Sequence, residues 1–316
     1  MSTQTAEAGT QPVLRKISKF SWTMKEIKKN KAAYAMVFPF FILFFIFTVI
    51  PVLLSVVISF TTFNMLEFPE WVFMDNYIRL LLDDDIFLLA IKNTIVFAAI
   101  TGPGSYLLCL FFAWFINELR PKIRSIVTLI FYAPSIAGNA YLVFTILFSG
   151  DQYGLVNGML MDMNIINSPI LWFQDTDYIF PLIIVVALWT SLGTSFLSFI
   201  AGFQVVNREL YEAGAVDGIK NRWQELWYIT LPSMKPQLMF GAVMAITGAF
   251  GFGGIVTALA GNPSVDYVAY TLTHHLEEYQ NNRWEVGYAS AISFILFLMM
   301  IGSNVLITKL ISKLGE

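Results

Sequence analysis

The chain is poor in the residues that most enzymes and ion-driven carriers depend on. Among its 316 residues there is one cysteine, Cys109, and it lies in an apolar run. Neither a disulfide framework nor a zinc site can be built from it, and it reads as a small buried hydrophobe. The only histidines, His274 and His275, stand side by side without a further ligand at helical spacing, so no metal is expected. Charged residues make up 13% of the chain, against about a quarter in a soluble domain.

The few charges avoid six apolar runs, at roughly 34–63, 93–117, 126–149, 178–203, 237–260 and 287–308. No Asp, Glu, Lys or Arg lies deep in any of them, whereas ion- and proton-coupled carriers need such a station inside the membrane. Intramembrane hydrolases need a Ser–His, paired-Asp or His–Glu constellation there, which is also missing. The glycines of the fifth run, Gly248 to Gly254, are followed by no Lys-Ser or Lys-Thr, so they are not a phosphate loop. Active transport by this chain would have to draw its energy from another polypeptide.

What is present is apolar surface, at 57% of the residues. Each of the six runs is long enough to cross about 30 Å of hydrocarbon. Seven Lys or Arg precede the first run, three separate the second from the third, four separate the fourth from the fifth, and two follow the sixth. The other side holds only Arg79, Lys92 and Arg283, while 14 of the 22 acids fall there. The bias predicts an all-α, six-span integral membrane protein with both termini cytoplasmic. Residues 1–33 read as a cytoplasmic basic segment, polar at first and then amphipathic, its cations suited to anionic lipid headgroups. Residues 34–316 read as the membrane domain.

One polar break between spans runs from 208 to 236. Asn207 is a candidate N-cap and Glu209 a first-turn acid, and Asp217-Gly218 is a stop, so one short helix is expected. A second is expected from Lys220 to Tyr228, with Trp223 and Trp227 on one face, closed by Pro232 and Pro236. Glu212-Ala213-Gly214, three residues, Gly218, and then Ile229-Thr230-Leu231-Pro232 resembles the EAA loop of binding-protein-dependent ABC importer permeases, in the sugar branch that includes the maltose permease. Two departures stand out. The third triplet residue is Gly214, and ten residues rather than nine separate Gly218 from Ile229. The patterns Asn76-Tyr77…Leu80-Leu81, Ala90…Asn93-Thr94, Gly154-Leu155-Val156-Asn157, Gly261-Asn262-Pro263 and Gly287-Tyr288-Ala289-Ser290-Ala291 extend the resemblance along the chain.

The resemblance implies a type I importer permease fold in a bacterial cytoplasmic membrane. It implies two copies of a cytoplasmic ATPase subunit, which bind the ATP and Mg that this chain does not, a second permease subunit making a heterodimer, and an extracytoplasmic solute-binding protein. Nucleic acid is not among the expected partners. In this reading Ala213, Gly214 and Ala215 let the ATPase approach, Glu212 supplies a charged contact, and Asp217 and Gly218 end the coupling helix. Trp189, Thr190 and Thr194 in the fourth run and Thr247, Phe250 and Phe252 in the fifth are candidates for the sugar pathway, since rings stack on sugar faces and hydroxyls bond sugar hydroxyls. Against this stands plain packing, with each hydroxyl bonded to its own helix backbone. The solute could also be a glycerophosphodiester or a peptide, and an ATPase-independent facilitator is the alternative of a different class.

Overall fold

The computed structural model describes Thr23 and residues 26–312. Most of the expected basic segment, and the last four residues, lie outside the described residues. By internal contacts the chain divides at Leu54/Ser55, and the two parts are described separately. The first is most of helix α1 (Lys31–Ile58), which has a mean hydropathy of 3.0 and is apolar on every side, the composition of a lipid-facing span.

From Ser55 onward the chain is helical, and among the described residues it contains no strand beyond one isolated bridge, Thr61 to Trp71. After the short α2 (Asp75–Ile78) comes α3 (Asp85–Asn117), roughly 50 Å long at 1.5 Å per residue. Asp84 caps it, accepting from the Phe87 N–H at 2.9 Å. Pro103 is carried inside this helix without ending it.

The next three apolar runs, each expected as one span, are bent pairs. The third is α4 (Pro121–Ile136) and α5 (Ala140–Leu147), bent by 87°; α6 (Leu155–Asp162) follows it. The fourth is α7 (Thr176–Thr190) and α8 (Thr194–Val205), bent by 44°. After α9 (Arg208–Val216) and α10 (Arg222–Glu225), the fifth run is α11 (Lys235–Ala249) and α12 (Gly253–Ala260), bent by 42°. Then come α13 (Leu272–Glu277) and the last long helix, α14 (Val286–Ser312). Among the described residues three helices are long and apolar enough to cross a membrane, and each bent pair can serve as one more span, giving up to six.

Within the second part, α3 is the axis. Cys109, Ala113 and Ile116 pack with Phe196, Phe199 and Phe203 of α8 and Leu238 and Ala242 of α11. Halfway along, Gly102-Pro103-Gly104 brings α3 against both α11 and α7. A Cβ on Gly102 would lie 3.6 Å from Ala249, and one on Gly104 would lie 3.0 Å from Leu188. At one end of this bundle are Asp84, α13 and the start of α14; at the other are α9, α10 and the end of α14.

Candidate functional site

Helix α9 ends by a rule of backbone geometry. Gly218 has φ +97°, a region that costs glycine little and other residues much. Its N–H and that of Ile219 reach back to Ala215 O and Gly214 O, at 3.4 and 2.9 Å, which satisfies two carbonyls of the last turn. At the other end Asn207 Oδ1 accepts from the Glu209 N–H at 3.1 Å, as expected.

The six coupling candidates do not share a face. Glu212, Ala213, Ala215, Asp217 and Gly218 are exposed, whereas Gly214 is buried. A Cβ on Gly214 would lie 2.6 Å from Ile229 Cδ1 and 3.0 Å from Ile219 Cδ1. This explains the glycine at the third triplet position, because the isoleucine of Ile229-Thr230-Leu231-Pro232 rests on it. Arg208 and Glu212 pair at 3.7 Å in the open, where such a bridge contributes little.

The ten-residue spacing also has a structural counterpart. From Leu226 to Thr230 the helix widens to one π-helical turn, with the Leu231 N–H on Leu226 O. A π turn takes up one residue more than an α turn, so the longer segment still delivers Ile229 and Thr230 to α9. Thr230 shares a hydrogen bond with the Tyr211 hydroxyl at 2.9 Å and donates to Glu225 O at 3.1 Å. Pro232 and Pro236 were expected to close this element. Pro236 stands instead in the first turn of α11, where proline removes no helical hydrogen bond, and Pro232 lies within the helix that runs on from the π turn to Ser233.

This unit is tied to α3 from two sides. Arg222 bridges Glu225 at 2.7 Å and Glu118, in the α3–α4 connection, at 3.3 Å. The hydrogen bond to Glu225, with the charge of Glu118, raises the pKa of the Arg222 guanidinium further. Trp223 packs against Trp114 at 4.7 Å between ring centroids and against Phe111 at 6.0 Å. Trp227 lies one turn further along α3, at a groove beside Tyr106 and Leu107.

The pathway candidates gather at two of the bends. Trp189 and Thr190 end α7, Thr194 begins α8, and Phe250 and Phe252 flank the α11–α12 break. Trp189 is partly exposed and lies edge-on to Phe144 of α5 at 5.2 Å. Thr194 is exposed, Thr190 Oγ1 donates to Val186 O and Ala187 O, and Thr247 Oγ1 donates to Val243 O. Phe252 meets Phe97 at 5.4 Å, and Phe250 is buried towards Ala98, Gly102 and Met299. The bends are held close to α3 and α4. The Cys109 thiol donates to Ser191 O at 3.6 Å, and a Cβ on Gly193 would lie 3.4 Å from Ser135. Backbone freed at a break within a span is tolerated only where protein or a water-filled cavity covers it.

Sequence reasoning missed the polar hub at the opposite end. Asp84 Oδ2 accepts from the Tyr288 hydroxyl at 2.8 Å and from the Tyr279 hydroxyl at 3.3 Å, and lies 3.0 Å from His275 Nε2. Burial pushes the Asp84 carboxyl up, but the Phe87 N–H, Tyr288 and His275 outweigh it and hold it below the usual range. Burial pulls His275 down and takes His274 to about 4, so both imidazoles are neutral near pH 7. His274 Nδ1 accepts from the Thr271 N–H at 3.1 Å and caps α13. Among the described residues no group of His, Cys, Asp and Glu is arranged to hold a metal.

The dispersed family-like patterns are staples of the same kind. Asn76 Nδ2 donates to Ser59 O and Thr61 O, Asn93 Nδ2 donates to Tyr267 O and Tyr270 O, and Thr94 Oγ1 accepts from the Leu272 N–H. Asn157, fully buried, donates to Ser149 O, Asp151 O and Ile170 O, and accepts from the Ile170 N–H and Trp172 Nε1.

Residues 105–315, which include α9, α10 and all three bends, match the family described as binding-protein-dependent transport system inner membrane component. A probable ABC transporter permease protein, YesP of Bacillus subtilis, is 32% identical over 90% of this chain and 91% of its own length. The arabinooligosaccharides transport system permease protein AraP of the same organism is 27% identical over 95% of this chain and 94% of its own. A solved bacterial ABC transporter involved in the import of the acidic polysaccharide alginate has a chain that superimposes with a TM-score of 0.76 at 22% identity, covering 93% of this chain and all of that one. With the family profile spanning two-thirds of the sequence, this chain belongs to the inner membrane components of binding-protein-dependent transport systems.

Proposed function

We propose that this chain is the permease subunit of an ATP-driven importer for a sugar or oligosaccharide, forming half of the pathway with a second permease subunit. The observation that carries the reading is that three membrane runs break partway along, and that two of these breaks carry the pathway candidates. Discontinuous helices expose backbone polar groups where a solute can use them, and in transporters such helices form the solute site. The choice of sugar rests on relatives named for arabinooligosaccharide and lactose transport. A binding protein would deliver the sugar at the Asp84 end.

The energy enters at the other end. The exposed face of α9, with Glu212, Ala213 and Ala215, offers small residues and a carboxylate to a cleft of an ATPase subunit. Closure of two such subunits moves α9. Two residues join α9 to α8, the Tyr211–Thr230 bond joins it to the π turn that continues α10, and Arg222 and Trp223 join α10 to α3. The movement therefore acts on the helices that hold the α7–α8 and α11–α12 bends. This is a two-state element biased by ATP at one end and by the loaded binding protein at the other.

The test is the complete transporter, reconstituted with its ATPase, second permease and binding protein and assayed for oligosaccharide-stimulated ATP hydrolysis. Trp189→Ala is expected to raise the oligosaccharide concentration needed for stimulation about tenfold, equal to ~1.4 kcal/mol, with little change in assembly. Unchanged substrate dependence would return Trp189 to packing against Phe144.

A further inference from the structure

The α10 segment has one surface that neither the coupling helix nor the pathway uses. A groove of about 420 Å³ runs between α3 and the 227–238 segment, walled by Tyr106, Leu107, Leu110 and Leu231. Trp227 and Tyr228 stand at it, exposed by 61% and 67%, although both are large rings. Lys235 also lines the groove. Its ammonium donates to the terminal carbonyl of α14, Ser312 O, at 2.7 Å, and no carboxylate among the described residues pairs with it.

The groove has a defined depth. Tyr106, Leu107 and Leu110 lie two to three turns inside the end of α3 at Asn117, about 10–16 Å at 1.5 Å per residue. The lysine and the rings meet the polar α10 segment, while the walls lie along a membrane-spanning helix. Tryptophan and tyrosine collect at the headgroup level of a bilayer, and basic pockets between spans bind anionic headgroups.

We propose that this groove binds one anionic phospholipid, with its phosphate at Lys235, its glycerol beside Trp227 and Tyr228, and an acyl chain along Leu107 and Leu110. The ammonium keeps two donors for the phosphate after its bond to Ser312 O. The charge is complementary and the apolar walls exclude a free phosphate ester as the whole ligand. The lipid would brace the segment after α10 against α3, one helical turn along from the Trp223 contact. The assignment depends on the chain's lying in a membrane and not on which solute it moves.

Native mass spectrometry of the detergent-purified full chain tests it, with dioleoyl phosphatidylglycerol and dioleoyl phosphatidylcholine as the two probes. A one-lipid adduct is expected with phosphatidylglycerol at least fivefold above phosphatidylcholine. Lys235→Gln, which keeps a donor for Ser312 O but loses the charge, should lower that adduct at least fivefold, and Lys235→Arg should restore it. Leu107→Trp, which fills the groove and leaves Lys235 in place, should lower it equally. Equal adducts for the two lipids, or adducts unchanged by both Lys235→Gln and Leu107→Trp, would mean general annular lipid and overturn the proposal. So would displacement of the adduct by glycerol 3-phosphate alone.

Discussion

Gly218→Pro is expected to reduce uptake to background while the chain still inserts in the membrane at normal yield. The glycine sits at φ +97°, and proline is confined near −65°, so the last turn of α9 cannot close as it does now. Proline also lacks the N–H that reaches Ala215 O, and the displaced Ile219 no longer covers Gly214. The local cost is about 3 kcal/mol. It falls on an exposed helix end, away from the α3–α8–α11 core, which is why insertion should survive. Gly218→Asn is the companion, because asparagine tolerates a left-handed cap, and it should keep most of the uptake. Solute uptake measured against membrane content by immunoblot separates the outcomes. Normal transport by Gly218→Pro would show that the end of α9 plays no part in coupling.

At the other end of the bundle the largest expected effect is on stability. A Cβ on Gly287 would lie 2.0 Å from Thr61 O and 3.0 Å from the Phe63 nitrogen, both of them backbone atoms. The segment cannot retreat easily, because Asn76 holds Ser59 O and Thr61 O and the Gly287 N–H itself donates to Phe63 O at 2.9 Å. Gly287→Ala should therefore cost about 3 kcal/mol, the upper range for a forced fit. It is expected to lower the melting temperature in detergent by several degrees. Gly302→Ala on the same helix meets nothing within 4 Å and should leave it unchanged. Equal melting temperatures for the two variants would mean that the 59–63 segment yields.

Much of this is legible in the amino-acid sequence. Six runs without charge, flanked by a one-sided excess of Lys and Arg, specify spans because hydrocarbon penalises charge steeply. Asn207 and Gly218 were readable as helix ends because caps and left-handed stops demand particular side chains. The bends were not readable, since Gly138-Asn139, Ser191-Leu192-Gly193 and Gly251 are equally at home in an unbroken, closely packed span. The roles of Gly214 and Asp84 were hidden for a different reason. Each depends on a contact distant in sequence, Ile229 with the first and Tyr288 and His275 with the second, and no local pattern encodes such a meeting. Asp84, one of three consecutive acids, caps α3 and gathers three side chains.

The central claim is that α9 is where energy enters from another polypeptide. A photo-crosslinking side chain placed at Ala213 or Ala215, both exposed on α9, tests it in membranes that hold the whole transporter. The same probe at Trp284, exposed at the opposite end, is the control. The expected result is a covalent adduct between this chain and a cytoplasmic ATPase subunit from the two α9 positions and none from 284. No adduct from either α9 position, or an equal yield from 284, would contradict the account.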